Sequence, residues 1–344
     1  MEDKIISKKD FKSLIINLAG KYRVFVPVKR DESLAYEEIY PRTFPEEGIS
    51  FTYSNTKKGI KEFFLPQRER LFSFNLLKKD EIKVPDQSDR KRIIIGVRPC
   101  DAKGIDLFDK VFFCKEYHDP YYRQKRENTL VIAMGCNAPD KTCFCISTGG
   151  DPFATDGSDL LLVDLEDSFL VQPVTEKGIN FLDQESVFLC AEQSQIQRKE
   201  QSFKDARSSI KSQLDTKKIK INLDKNFDDP LWDRIYAKCL GCGVCTYFCP
   251  TCHCFDILDE TQGLSGERIR IWDSCMFPQF TLHASGANPR PTGKERLRQR
   301  VMHKFKYFLD NNDKIACSGC GRCIKYCPVN LDIREVLKYI QDQL

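Results

Sequence analysis

The chain has 344 residues, 41% of them hydrophobic, and a formal net charge of +4. That length suits two domains with real cores, and so weak a positive balance gives no electrostatic footprint for nucleic acid. No run approaches the roughly eighteen apolar residues of a membrane span, the opening Met1-Glu2-Asp3-Lys4 does not spell a secretory leader, and seventeen cysteines in a chain this long do not match the short secreted disulfide scaffolds; a reducing cytoplasm is expected.

Taken in order, Lys9–Leu18 has the pattern of a short amphipathic helix, and Tyr22–Val28 alternates like a strand. Ile93–Val97 is an apolar, β-branched run. A tight turn at Arg98-Pro99-Cys100-Asp101 follows it, then a helical pattern over Ala102–Phe112. Leu130–Met134 is a second such run and ends at Gly135-Cys136. Two strands with a helix between them predict a βαβ unit. Leu160–Leu165 and Ser168–Val174 predict a hairpin turning at Glu166-Asp167, and the polar stretch 193–216 predicts a surface helix or linker. Residues 1–225 therefore read as an α/β or α+β docking domain with extra cysteines.

The character changes near residue 226. Asp229-Pro230-Leu231-Trp232 is a helix start, with Asp at the N-cap and Pro at the first helical position, and that helix leads into Cys239. Residues 226–344 then carry one cysteine spelling twice: Cys239, Cys242, Cys245, Cys249-Pro250, and Cys317, Cys320, Cys323, Cys327-Pro328. This C-x₂-C-x₂-C-x₃-C-P run is the spelling of a bacterial-type [4Fe–4S] site, and a pair of runs means two clusters. Three thiolates at this spacing curl around one cubane. Proline then fixes φ and turns the fourth away, towards the other cluster. The expected sets are Cys239, Cys242, Cys245 and Cys327 for one cluster, and Cys317, Cys320, Cys323 and Cys249 for the second. Gly241, Gly243, Gly319 and Gly321 would let the backbone approach the clusters, with N–H groups that tune potential. The 66 residues 251–316 between the runs predict a helical two-cluster domain with a long insert. Leu297, Val301, Phe305 and Phe308 share one helical face, as do Ile333, Val336, Leu337 and Ile340.

Further spellings widen the picture: Gly96-Val97-Arg98-Pro99-Cys100-Asp101, Thr142-Cys143-Phe144-Cys145, Cys249-Pro250-Thr251-Cys252-His253-Cys254-Phe255, Trp272-Asp273-Ser274-Cys275, Gly286-Ala287-Asn288-Pro289-Arg290 and His303-Lys304-Phe305-Lys306-Tyr307. With these the chain, over nearly its whole length, resembles the iron–sulfur (beta) subunits of soluble nickel–iron sulfhydrogenases. It is similar also to an iron–sulfur component of anaerobic sulfite reductase and to iron–sulfur subunits of flavin oxidoreductases that feed heterodisulfide reductases. The resemblance implies a hetero-oligomeric complex. One partner would be a diaphorase-type subunit carrying FAD and taking electrons from NAD(P)H, the other a catalytic or second iron–sulfur subunit. The chain itself would relay electrons and catalyse nothing. Two alternatives stand beside this: an enzyme subunit with its own third metal or dithiol site, and an iron–sulfur regulator.

Nine cysteines lie outside the two runs. If the two apolar strands are parallel, Cys100 and Cys136 share the sheet edge where α/β folds place ligands, and Cys143 and Cys145 follow closely. A third metal centre there is one expectation; buried thiols acting as small hydrophobes is the other. Cys252, Cys254 and Cys275 could pack around the first run or complete that third site. Cys114 and Cys190 read as structural. Cys249-x-x-Cys252-His253 imitates a haem-attachment motif, but Cys249 already belongs to a cluster run. No G-x-G-x-x-G occurs, so nothing here supports a flavin or nicotinamide site. The stretch Gly286 to Glu295 fails the phosphate-loop pattern in spacing and in its last residue. His118, His253, His283 and His303 show no metal-pair spacing and read as structural. Residues 288–306 carry seven bases (Arg290, Lys294, Arg296, Arg298, Arg300, Lys304 and Lys306) against Glu295. The plain expectation is a solvated helix face; docking an acidic partner or offsetting cluster charge are the functional ones.

Overall fold

A computed structural model describes residues 2–31, 33–41, 48–77, 81–85, 91–113 and 116–343. Its strands are β1 (Lys4–Ser7), β2 (Arg23–Arg30), β3 (Ser33–Ile39), β4 (Arg68–Asn75), β5 (Arg92–Val97), β6 (Thr129–Met134), β7 (Leu160–Asp164), β8 (Ser168–Pro173), β9 (Leu189–Cys190), β10 (Phe255–Gln262) and β11 (Ser265–Trp272). An eight-stranded mixed sheet runs β3-β2-β5-β6-β7-β8-β1-β9. Its centre is parallel, from β2 through β5 and β6 to β7. The β7–β8 hairpin and β1 extend it antiparallel.

The apolar runs are explained by burial on both faces. Every residue of β5 and β6 is buried, as parallel strands covered on both sides require. Ile93, Ile95, Leu130 and Ile132 meet Phe11, Leu14, Ile15 and Leu18 of the helix Lys8–Ala19 on one face. Ile94, Val97 and Val131 meet Ala102, Ile105 and Phe108 of the helix Pro99–Phe112 on the other. The tight turn expected at Arg98–Asp101 is the first turn of that helix, because Pro99 supplies a helical φ at its start. The polar stretch after residue 192 forms the helices Gln193–Ser209 and Thr216–Lys225.

The C-terminal part is helical around its cysteines, with one addition. The long insert opens as a hairpin, β10–β11, and β4 from the N-terminal half adds a third antiparallel strand to it. Alternation in the hairpin is carried by charge: Arg68 bonds Glu260 and Glu267, and Arg268 bonds Asp259 across strands. After a loop with a 3₁₀ turn at Pro278–Thr281, the insert continues as a helix, Gly293–Met302, extended by a π-turn at His303–Tyr307 and by Phe308–Asn312. Leu297, Val301, Phe305 and Phe308 are all buried. Val301 and Phe305 pack with Trp232, Ile333, Leu337 and Ile340, and Phe144 of the first domain enters the same core. Among the described residues no helix is long and apolar enough to cross a membrane.

Candidate metal centres

The two cysteine runs fold alike. Gly241 and Gly243 have φ of +66° and +74°, and Gly319 and Gly321 have +64° and +76°. These left-handed positions, cheap only for glycine, curl each loop around its thiols. Each loop then enters a single helical turn, Val244–Tyr247 or Arg322–Lys325. The Gly241 N–H donates to Cys239 Sγ at 3.4 Å, and the Gly319 N–H to Cys317 Sγ at 3.4 Å. The Leu331 N–H donates to Cys327 Sγ at 3.2 Å. Backbone donors to sulfur of this kind tune a bound cluster.

The runs also cross. Cys239, Cys242 and Cys245 line one pocket, about 480 Å³ counting its open mouth, and Cys327 of the second run lines it with them. Cys249 Sγ is joined through Lys304 Nζ to the carbonyl of Ala316, the residue before Cys317. Burial pushes Cys317 and Cys320 up to about 11 and Cys323 up to about 12, and the neighbouring Cys249 thiolate adds to each rise. Among the described residues no three His, Cys, Asp or Glu side chains converge on a point that would hold one ion. A single tetrahedral ion needs sulfurs about 2.3 Å from it, whereas a cubane is gripped at four separate corners.

The expectation of a solvated face over residues 288–306 fails at two positions. Arg300 and Lys304 are buried, 4% and 3% exposed. Lys304 Nζ stands 3.4 Å from Cys249 Sγ and donates to Thr251 Oγ1 and Ala316 O, each at 2.9 Å. Burial works against its charge, yet the thiolates of Cys249, Cys252 and Cys317 outweigh it and hold the ammonium above the ordinary lysine range. Arg300 lines the first pocket, and its buried Nε has no hydrogen-bond partner among the described residues. Two buried cations facing thiols suit an anionic cluster and would be costly without one. Arg296 and Arg298 serve structure, donating to Met276 O and to Phe227 O, and Lys306 pairs with Asp224 and Asp310. Sequence held a usable signal: Arg300 and Lys304 stand four apart, on one helix face, beside the apolar stripe.

A family model described as a 4Fe–4S dicluster domain matches residues 238–331. The Pyrococcus furiosus protein named Sulfhydrogenase 2 subunit beta is 34% identical over 325 residues, covering 94% of this chain and 93% of that protein. The chain belongs to the sulfhydrogenase beta-subunit family. No solved structure matches it.

Within this family member the remaining cysteines fall into separate groups. Cys252, Cys254 and Cys275 stay in the dicluster domain. The neighbouring Cys275 thiol holds Cys254 down to about 7, and the neighbouring Cys249 holds Cys252 well above the ordinary thiol range. The His253 Nδ1–H donates to Thr251 O at 3.2 Å, and its ring meets that of His303 at 5.7 Å. Burial lowers His253 to about 4, so it is a neutral packing residue at neutral pH. Cys100, Cys136, Cys143 and Cys145 line a second pocket, away from Cys252, Cys254 and Cys275. Cys190 is exposed on the edge strand β9, and Cys114 lies outside the described residues.

Proposed function

We propose that the chain is the electron-relay subunit of a soluble, cytoplasmic hetero-oligomeric complex. It would carry single electrons between a diaphorase-type subunit with FAD and NAD(P)H and a catalytic partner of hydrogenase, sulfite-reductase or heterodisulfide-reductase type. The observation that carries this reading is that Cys327 and Cys323 of the second run line one pocket with Cys239, Cys242 and Cys245 of the first, while Cys249, Cys317 and Cys320 are buried. Cys239, Cys242, Cys245 and Cys327 would hold one [4Fe–4S] cluster, and Cys317, Cys320, Cys323 and Cys249 the other. Such clusters supply one-electron redox chemistry at potentials from roughly −700 to +450 mV.

The chain's own residues fit that task. Cys242 is exposed while Cys249, Cys317 and Cys320 are buried, so the first set offers an approach and the second is shielded from water. Leu240, 69% exposed beside Cys242, gives that approach an apolar rim suited to a partner surface. Cys323 of the second set also lines the first pocket, which keeps the sets adjacent. Arg300 and Lys304 offset thiolate charge at their junction. The flavin and nicotinamide fall to the partner in this reading, since the chain spells no dinucleotide fingerprint of its own. The family relative's name, that of one component among several, supports an assembly rather than a lone enzyme.

The test is reduction by NAD(P)H under anaerobic conditions, followed by bleaching of the visible cluster absorbance. The chain alone is expected to stay oxidised and to bleach once the flavin subunit is added. Bleaching by NAD(P)H without any partner, or none with it, would count against the relay.

A further inference from the structure

The first domain holds a second set of four thiols that neither the dicluster motif nor the family match assigns. The βαβ unit builds it. The end of β5 delivers Cys100 into the first turn of the helix Pro99–Phe112, and the end of β6 delivers Cys136. Because β5 and β6 run parallel, both arrive at the carboxyl edge of the sheet, where open α/β folds place ligands. The following loop brings Cys143 and, at the start of a 3₁₀ turn, Cys145. All four line one pocket, and Gly319 and Cys320 of the second cysteine run form its floor.

We infer that Cys100, Cys136, Cys143 and Cys145 hold a third iron–sulfur cluster, set against the backbone of the second dicluster loop. Four thiolates are the complete donor set for such a cluster. The surroundings support it. Arg98, 2% exposed, precedes the pocket-lining Pro99 and Cys100; it donates to Met134 O, Gly135 O and Phe51 O and stacks on the Tyr53 ring at 4.0 Å, which ties the ends of β5 and β6 together. Arg322 of the second cysteine loop, paired with Asp101 next to Cys100, fastens that loop to the helix that carries Cys100. The alternative of four inert apolar thiols does not account for all four lining one pocket at the carboxyl edge of the sheet. A mononuclear zinc or iron site would need sulfurs drawn together around one ion, and no three of the thiols are so drawn.

The contact with the second set is direct. Cys143 Sγ lies 3.9 Å from Cys320 O, Asn55 donates to the same carbonyl at 2.8 Å, and Phe144 N–H donates to Gly319 O at 2.9 Å. Three thiol sets thus follow one another: the Cys239 set, the Cys317 set through Cys323, and the Cys136 set through Cys320. The inference stands whatever the direction of electron flow.

The experiment uses the full chain, reconstituted anaerobically with ferrous iron and sulfide. The native chain is expected to hold about twelve iron atoms, four in each of three cubanes, or about ten if the third cluster is a [2Fe–2S] rhomb. The Cys143→Ala/Cys145→Ala variant is expected to fall to about eight with both dicluster EPR signals intact. Cys145 packs beneath Gly319, so Cys136→Ser is measured alongside; its backbone bonds to Pro152 rather than to a dicluster loop. The same loss of iron and sulfide in that variant supports the third cluster. About eight iron atoms in the native chain, unchanged in both variants, overturns it, as does loss of one zinc or one iron without sulfide.

Discussion

Arg322 and Asp101 form a two-point ion pair at 2.5 and 2.8 Å, with side chains 1% and 0% exposed. One partner sits between Cys320 and Cys323, the other beside Cys100. Arg322 also donates to Thr56 O at 2.8 Å, so one guanidinium pins the second cysteine loop to the first domain. Breaking a buried pair leaves an uncompensated charge, which costs about 3–5 kcal/mol. Asp101→Asn is expected to lower unfolding stability by that amount, read from the apparent midpoint in denaturant. Asp101→Leu with Arg322→Met is expected to recover most of the loss, since an apolar replacement of both partners removes the stranded charge. An Asp101→Asn chain as stable as the native one would show that the pair does not fasten the domains.

The crossing of the runs makes a separate prediction. Cys327→Ser is expected to remove the same EPR signal as Cys239→Ser, although Cys327 is nearer in sequence to Cys323. Cys249→Ser is expected to match Cys317→Ser instead. Each variant should lose about four iron atoms. If the Cys327 and Cys317 variants lose one and the same signal, the crossed sets are wrong.

Much of this was legible in the sequence, for identifiable reasons. The cysteine runs fix a local loop geometry through spacing, glycine and proline, all of them short-range. The βαβ unit was legible because Ile93–Val97 and Leu130–Met134 are buried on both faces and so are apolar throughout. The hairpin at Phe255–Trp272 was not. It carries charge on both faces, Asp259 with Arg268 on one and Glu260 with Glu267 on the other, and its third strand, β4, comes from some 180 residues earlier, so no local pattern announces it. Offsetting cluster charge was among the readings of the basic segment, but which of its bases do so was only partly legible: Arg300 and Lys304 stand out by their spacing beside the apolar stripe, while basic composition alone looks alike whether it meets water or thiolates.

Lys304 should set potential rather than fold. Its ammonium, 3.4 Å from Cys249 Sγ, favours the more negative, reduced state of a neighbouring cluster. Deleting one unit charge at this range removes roughly 4–5 kcal/mol at an effective dielectric of about 20, on the order of 200 mV for one electron. Lys304→Met is therefore expected to shift the second cluster to a more negative potential by that order, in a redox titration followed by EPR. Lys304→Arg keeps the charge and should shift it little. Equal potentials in Lys304→Met and the native chain would leave the lysine with a packing role only.

Gly319 offers the sharpest contrast between local strain and close packing. Its φ of +64° is left-handed, and so is the +59° of Gly263 in the β10–β11 turn. A side chain at either position costs about 1–2 kcal/mol for that conformation. At Gly263 an added Cβ meets nothing within 4 Å. At Gly319 it would stand 2.5 Å from both Cα and N of Cys145, and 2.6 Å from the carbonyl carbon of Phe144. These are backbone atoms and cannot swing aside, so overpacking adds about 1–3 kcal/mol. Gly319→Ala is expected to cost about 2–5 kcal/mol in all and to weaken iron retention at Cys317, Cys320 and Cys323, because the loop must leave Phe144. Gly263→Ala should cost only the conformational part and leave iron content unchanged. Anaerobic denaturation with iron analysis of both variants decides it; equal losses would mean that the second cluster loop does not rest on the first domain's Cys145 as closely as its geometry requires.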